Sequence, residues 1–157
     1  FKLEIEDEAV MRNQYGKPSF KNKEHIKFNI SHCDGLIACA VGLEEMGVDV
    51  ENIRSFDDYV VIRVCNMKEI NDIYSSHDSK RTFFTYWTMK ESLGKALGVG
   101  LHYPLRENEF IKNGDGYLCN YEGLKIKNYE IDNKFILSIC TDKNEEIILR
   151  GVNLDGR

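Results

Sequence analysis

A chain of 157 residues with 42% hydrophobic and 30% charged content suits one packed domain or two small lobes sharing a core, and excludes wholesale disorder. No apolar run reaches the roughly 18 residues of a membrane span, and a net charge of −5 gives no global attraction for nucleic acid. Nothing in Phe1–Glu8, FKLEIEDE, reads as a signal peptide, being acidic where a basic region belongs; the start at Phe1 rather than Met suggests a fragment or a processed chain. The five cysteines, Cys33, Cys39, Cys65, Cys119 and Cys140, contain no CxxC pair, and most lie among apolar residues. Buried reduced thiols in a cytoplasmic protein are expected. The histidines His25, His32, His77 and His102 have no zinc-like spacing with them.

In chain order, Tyr15–His25, YGKPSFKNKEH, reads as a turn and a basic loop carrying Lys17, Lys21 and Lys23, with Lys27 just beyond. IKFNIS and GLIACAVGL read as two strands joined by a tight turn at His32–Gly35. The second is apolar on both faces, so an internal position is expected. Met46–Arg54, MGVDVENIR, is a strand with strict alternation: Val48 and Val50 point one way, Asp49 and Glu51 the other. Ser55 with Asp58 resembles a capping box and predicts one helix to about Tyr74, with an apolar stripe of Val60, Val64, Met67 and Tyr74. Asp78 or Ser79 caps a second helix to about Leu97, which Gly98 and Gly100 end. The remainder reads as antiparallel strands with turns at Asn113–Gly116 and Asp132–Asn133, followed by a loose tail, NLDGR. The fold class is α+β.

Projected at about 100° per residue, the second helix puts Tyr86, Met89, Leu93, Ala96 and Leu97 in one core stripe. Lys90 falls on the edge of that stripe, and Trp87, Glu91 and Lys95 run along the flank beside it. Read alone, Lys90 snorkels to the surface and Glu91–Lys95 is an exposed i, i+4 ion pair. Likewise Asp49 and Glu51, read alone, form a solvent-facing edge. Taken together they admit a sharper reading. Two carboxylates crowded on a half-buried strand repel unless something positive binds them. With Glu91 as a third, they make an oxygen set that suits Mg²⁺ with room left for water and phosphate oxygens. Lys90 and Lys95 would then neutralise a pyrophosphate bridging the metal. Residues 81–106 carry four basic side chains against one acidic, a net of +3, so an anionic ligand is drawn there locally.

GVDVE followed by WTMKESLGKALGVGL resembles the signature pair of the 4'-phosphopantetheinyl transferases, and YGKP and FNISH upstream match two further motifs of that superfamily. Their order, with GKP and FNISH before GVDVE, is similar to that of the surfactin-synthetase-activating (Sfp-type) branch. Cys33 stands where the family motif SHS usually has its last serine. The resemblance implies a pseudo-dimer of two small lobes, each with a short antiparallel sheet and helices. Residues 1–46 would be an N-terminal lobe that is incomplete, since only 46 residues precede Gly47; residues 47–157 would be the C-terminal lobe. It also implies a reaction, the Mg²⁺-dependent transfer of 4'-phosphopantetheine from coenzyme A to a serine of an apo acyl or peptidyl carrier protein, with release of 3',5'-ADP. By position, Asp49, Glu51 and Glu91 would hold Mg²⁺, and Glu91 would take the serine proton. Lys95 and Lys90 would act on the pyrophosphate, Ser31 and His32 would contact the coenzyme A phosphates, and Lys17 would sit near the adenine or 3'-phosphate. Trp87 is expected to be a packing residue. A monomer is expected, with self-association as a way to complete a short first lobe. The rival implication is a non-catalytic relative that holds coenzyme A or a carrier protein.

Overall fold

The computed structural model describes residues 10–102 and 104–152. Two β-hairpins come first: β1 (Val10–Arg12) with β2 (Pro18–Phe20), then β3 (Lys27–Cys33) with β4 (Leu36–Gly42). β5 (Gly47–Asn52) follows, then α1 (Asp58–Val64), α2 (Met67–Ser75) and α3 (Ser79–Leu97). β6 (Phe110–Asn113), β7 (Gly116–Cys119), β8 (Leu124–Ile131) and β9 (Phe135–Asp142) complete an antiparallel sheet in the order β5-β9-β8-β7-β6. Among the described residues no helix precedes Asp58. The architecture is α+β, as expected, with the anticipated turns at Asn113–Gly116 and at Asp132–Asn133, whose residues both take positive φ. Residues 1–9 and the expected tail from Asn153 onward lie outside the described residues.

The large sheet is covered on both faces near β5. On one face α3 packs Met89, Leu93 and Ala96 against Ile126 and Cys140. On the other, Val48, Val50, Leu137 and Ile139 meet Leu36, Ala38 and Ala40 of the second hairpin. The alternation read from GVDVE is realised, with both valines 1% exposed on the hairpin side. Among the described residues β5 makes a main-chain ladder only with β9; its other edge is read by side chains of β3. Asn29 Oδ1 accepts from Val48 N at 2.9 Å, and Ser31 Oγ from Val50 N at 3.3 Å. Polar groups thus substitute for a ladder and satisfy buried N–H groups.

Contact between α3 and β5 is closest at Gly47. A Cβ there would lie 2.0 Å from Ser92 O and 2.4 Å from Ala96 N, both backbone. Gly47→Ala is therefore expected to force helix and strand apart and to cost roughly 3 kcal/mol in urea denaturation; a loss below about 0.5 kcal/mol would show that the two backbones can separate freely.

Three expectations are corrected. The single helix to Tyr74 is two helices, broken at Cys65. Asp57 caps α1, and Asn66 with Glu69 forms a reciprocal capping box that starts α2, so Met67 and Tyr74 lie exposed while Val61 and Ile73 are buried. β4 is not internal: among the described residues it pairs with β3 alone and leaves Ile37 and Val41 exposed. The thiols are not uniformly buried. Cys65 and Cys140 are, Cys33 and Cys119 are half-buried, and Cys39 is exposed; all five are free. No helix among the described residues is long and apolar enough to cross a membrane.

Candidate active site at the β5 and α3 junction

Asp78 caps α3 through its carboxylate, and Gly98, in the left-handed region at φ 72°, closes it. Between these ends the helix crosses the face of β5 that carries Asp49, and its last two turns bring Glu91 and Lys95 to that strand. Lys95 Nζ lies 2.7 Å from Asp49 Oδ1, 3.0 Å from Ser31 Oγ and 3.1 Å from Val48 O. Ser31 also donates to Asp49 Oδ1, at 2.9 Å. Residues from β3, β5 and α3 therefore converge on one buried point.

Two carboxylate oxygens there have no hydrogen-bond partner among the described residues, Asp49 Oδ2 and Glu91 Oε1, although both are buried. Asp49 is only 5% exposed. Burial raises its pKa, against the opposing pull of Lys95. For Glu91 burial is again the main cause, Asp49 and Glu51 add to it and Lys95 opposes, and the carboxyl is pushed up to about 7. An orphaned carboxylate oxygen away from water is costly and calls for a cation or a proton. The donor set fits a hard divalent cation: two buried carboxylates with free oxygens and Glu51 two residues along the same strand. Among the described residues, however, no three carboxylate, histidine or cysteine side chains stand grouped as a ready metal cluster. Glu51 is paired with Arg54, whose Nη1 lies 2.6 Å from Glu51 Oε2.

The raised Glu91 pKa has a thermodynamic consequence. Because the folded chain holds this proton more tightly than the unfolded one, stability without metal falls as pH rises through the window from about 4.5 to about 7. Glu91→Gln is expected to remove that part of the pH dependence and to melt higher than the parent at pH 8. Identical slopes of melting temperature against pH in both proteins would contradict the assignment.

Of the residues anticipated from sequence, Asp49, Glu91, Lys95 and Ser31 are brought together. Glu51 lies on the same strand as Asp49 but is paired with Arg54, and three others are not brought in. Lys90 is fully buried, its Nζ 2.9 Å from Glu69 Oε2 and 2.7 Å from Leu105 O, which sets its ammonium apart from the Asp49 cluster. His32 is exposed, on the face of β3 opposite Ser31, because adjacent strand residues point apart. Lys17 lies beyond the end of α3. It pairs with Glu45 at 2.5 Å, donates to Ala96 O at 2.8 Å, and lines a cleft of about 540 Å³ with Lys27, Phe28 and Gly98. Trp87 packs partly buried beside Phe83. Sequence reading missed Asn29, which joins β3 to β5, and Arg54. The signal for Asn29 was present: Asn29 and Ser31 alternate on one face of β3, with Phe28 and Ile30 on the other.

This two-layer arrangement of helices on an antiparallel sheet has a solved counterpart. The crystal structure of Thermotoga maritima holo-acyl-carrier-protein synthase matches with a TM-score of 0.52 and 16% identity over 64% of each chain, which is a likeness of fold. The family model of the 4'-phosphopantetheinyl transferase superfamily matches residues 45–147, a span that holds Asp49, Glu91 and Lys95, and the chain belongs to that superfamily of enzymes. It is 31% identical over 134 residues to a 4'-phosphopantetheinyl transferase of Bacillus subtilis, covering 81% of this chain and 60% of the relative. With the transferase Sfp of Bacillus subtilis strain 168 it shares 27% identity over 147 residues, 89% of this chain and 66% of the relative. With the transferase gsp of Aneurinibacillus migulanus it shares 33% over 115 residues, 71% and 48%. The chain thus spans between about half and two thirds of the length of these relatives. The resemblance read from the four motifs holds.

Proposed function

We propose that the protein moves the 4'-phosphopantetheine group of coenzyme A onto a serine of an apo carrier protein. The observation that carries this reading is the pair of buried, partnerless carboxylate oxygens of Asp49 and Glu91 beside Lys95, in a chain of this family. In the reaction a bond forms between the serine oxygen and the phosphorus of the phosphopantetheine, the pyrophosphate bond breaks, and 3',5'-ADP leaves with the electron pair. Such a displacement asks for positioning and charge neutralisation more than covalent help.

Asp49, Glu91 and Glu51 would hold Mg²⁺, which when bound neutralises the pyrophosphate and steadies the leaving oxygen. Glu91 accepts the serine proton, directly or through a water. Lys95 exchanges Asp49 for the pyrophosphate, and Ser31 keeps Asp49 oriented. The cleft at the end of α3, with Lys17 and Lys27, receives the nucleotide end of coenzyme A. His32 meets a phosphate only if the ligand reaches around the hairpin edge. Lys90 has no part in the chemistry. Residues 1–46 and 47–157 are read as a partial first lobe and a C-terminal lobe of a pseudo-dimer, monomeric in the cytoplasm.

The reading is tested by mixing the protein with coenzyme A, Mg²⁺ and an apo carrier and weighing the carrier by mass spectrometry. Gain of one phosphopantetheine, abolished by EDTA, is the expected result. No gain across several carriers, together with Mg²⁺-dependent coenzyme A binding that Glu91→Gln leaves intact, would favour a non-catalytic binder instead.

A further inference from the structure

Three carboxylates lie along one side of the β5 and α3 junction, and in the protein alone two of them are already neutralised by side-chain cations. Lys95 occupies Asp49 Oδ1, and Arg54 occupies Glu51 Oε2. The third, Glu91, feels both neighbours as repulsion. The buried oxygens left without a partner, Asp49 Oδ2 and Glu91 Oε1, belong to two of the three carboxylates, and a hard divalent cation draws on a larger oxygen set than these two. Glu51 is the third carboxylate, and Arg54 holds one of its two oxygens, so its charge is already shared with a cation.

The Arg54–Glu51 pair differs in kind from Lys95–Asp49. The Arg54 side chain is 55% exposed and that of Glu51 21%, whereas the Asp49 side chain is 7% exposed beneath Lys95. The guanidinium is additionally held beside the site by two contacts that do not involve Glu51: Nη1 donates to Asn52 O at 3.3 Å, and the guanidinium carbon lies 4.9 Å over the Phe84 ring. Releasing Glu51 therefore costs one water-accessible ion pair while Arg54 keeps a resting place.

We propose that Arg54 is a resident counter-cation of Glu51 that competes with a divalent cation for this carboxylate and so sets the metal affinity of the site. The inference rests on the metal reading given above for Asp49, Glu51 and Glu91. Arg54 acts through Glu51 and is a positioning residue, not a catalytic one. It keeps three carboxylates from repelling one another when no metal is bound, and it weakens metal binding in return.

The test is Mn²⁺ titration of the full chain without coenzyme A, with free Mn²⁺ read by electron paramagnetic resonance, so that no turnover is needed. Arg54→Gln, which keeps an uncharged stem over Phe84, is expected to bind Mn²⁺ about three- to tenfold more tightly than the parent. Arg54→Lys is expected to return to near parental affinity. Unchanged or weaker binding in Arg54→Gln, with the parent binding normally, would overturn this inference alone, since Arg54 would then serve to aim Glu51 at the metal. Absence of binding in parent and variant alike would overturn the metal reading beneath it.

Discussion

Glu91→Ala and Asp49→Asn are each expected to slow phosphopantetheine transfer by about 10³-fold under saturating Mg²⁺ while the chain remains folded. The size follows from the chemistry. Removing one preorganised charge-stabilising group from a buried displacement site costs on the order of 10²–10³ in rate, and Glu91 also takes the proton. Folding should survive, because the Glu91 carboxylate oxygen lost has no partner in the protein, and removing a buried orphan relieves a penalty. Asparagine at position 49 keeps an oxygen for Ser31 and Lys95, which meet Asp49 at 2.9 and 2.7 Å, while withdrawing the charge. Initial rates of holo-carrier formation, checked against circular dichroism of each variant, measure this. Near-parental transfer in either variant would remove that residue from the reacting centre.

Lys90→Met is expected to have a large effect of the opposite kind, on stability. Lys90 is fully buried, its ammonium shared between Glu69 and Leu105 O and 5.3 Å from the Phe110 ring centre. Glu69, 3% exposed, ties Lys90 to the start of α2 through its reciprocal cap with Asn66. Removing one partner of such a pair leaves an uncompensated buried charge, worth about 3–5 kcal/mol, which is a large part of a typical domain's total stability. Burial already raises the Glu69 pKa with Lys90 present, and without Lys90 it rises further. Protonation then relieves the buried charge, so the loss should shrink as pH falls from 7 to 5. Lys90→Met with Glu69→Leu should recover much of the stability, as apolar replacements of buried pairs often do. Urea denaturation at the two pH values separates this from a role on phosphate, for which Lys90→Met would lose transfer and keep stability.

The contrast between adjacent residues explains what the sequence could disclose. Asp49 and Glu51 were legible because a period of two on a short strand with flanking valines fixes which side each occupies. Glu91 and Lys95 were legible as an i, i+4 pair on a helix with clear caps. Lys90 lies at the edge of the same helix's core stripe, and its direction depends on a partner 21 positions earlier, Glu69, that no local pattern announces. The split between α1 and α2 was available, in the Asn66 and Glu69 capping box, but a continuous apolar stripe outweighed it. β4 was misjudged because an apolar strand does not say what covers it; here its inner face meets Val48 and Val50 and its outer face meets nothing among the described residues. Ser31 and His32 adjoin in sequence and diverge in space, which the pleat of a strand requires.

The central claim is that the free oxygens of Asp49 and Glu91 receive the metal that holds the coenzyme A pyrophosphate against Lys95. Crystals grown with coenzyme A and Mn²⁺, with data collected for manganese anomalous scattering, test it most directly. The account expects one strong anomalous peak bonded to Asp49 and Glu91, touching a pyrophosphate oxygen, with Lys95 moved from Asp49 to phosphate. A peak elsewhere, or a pyrophosphate bound with Lys95 still on Asp49 and no metal between the carboxylates, would contradict it.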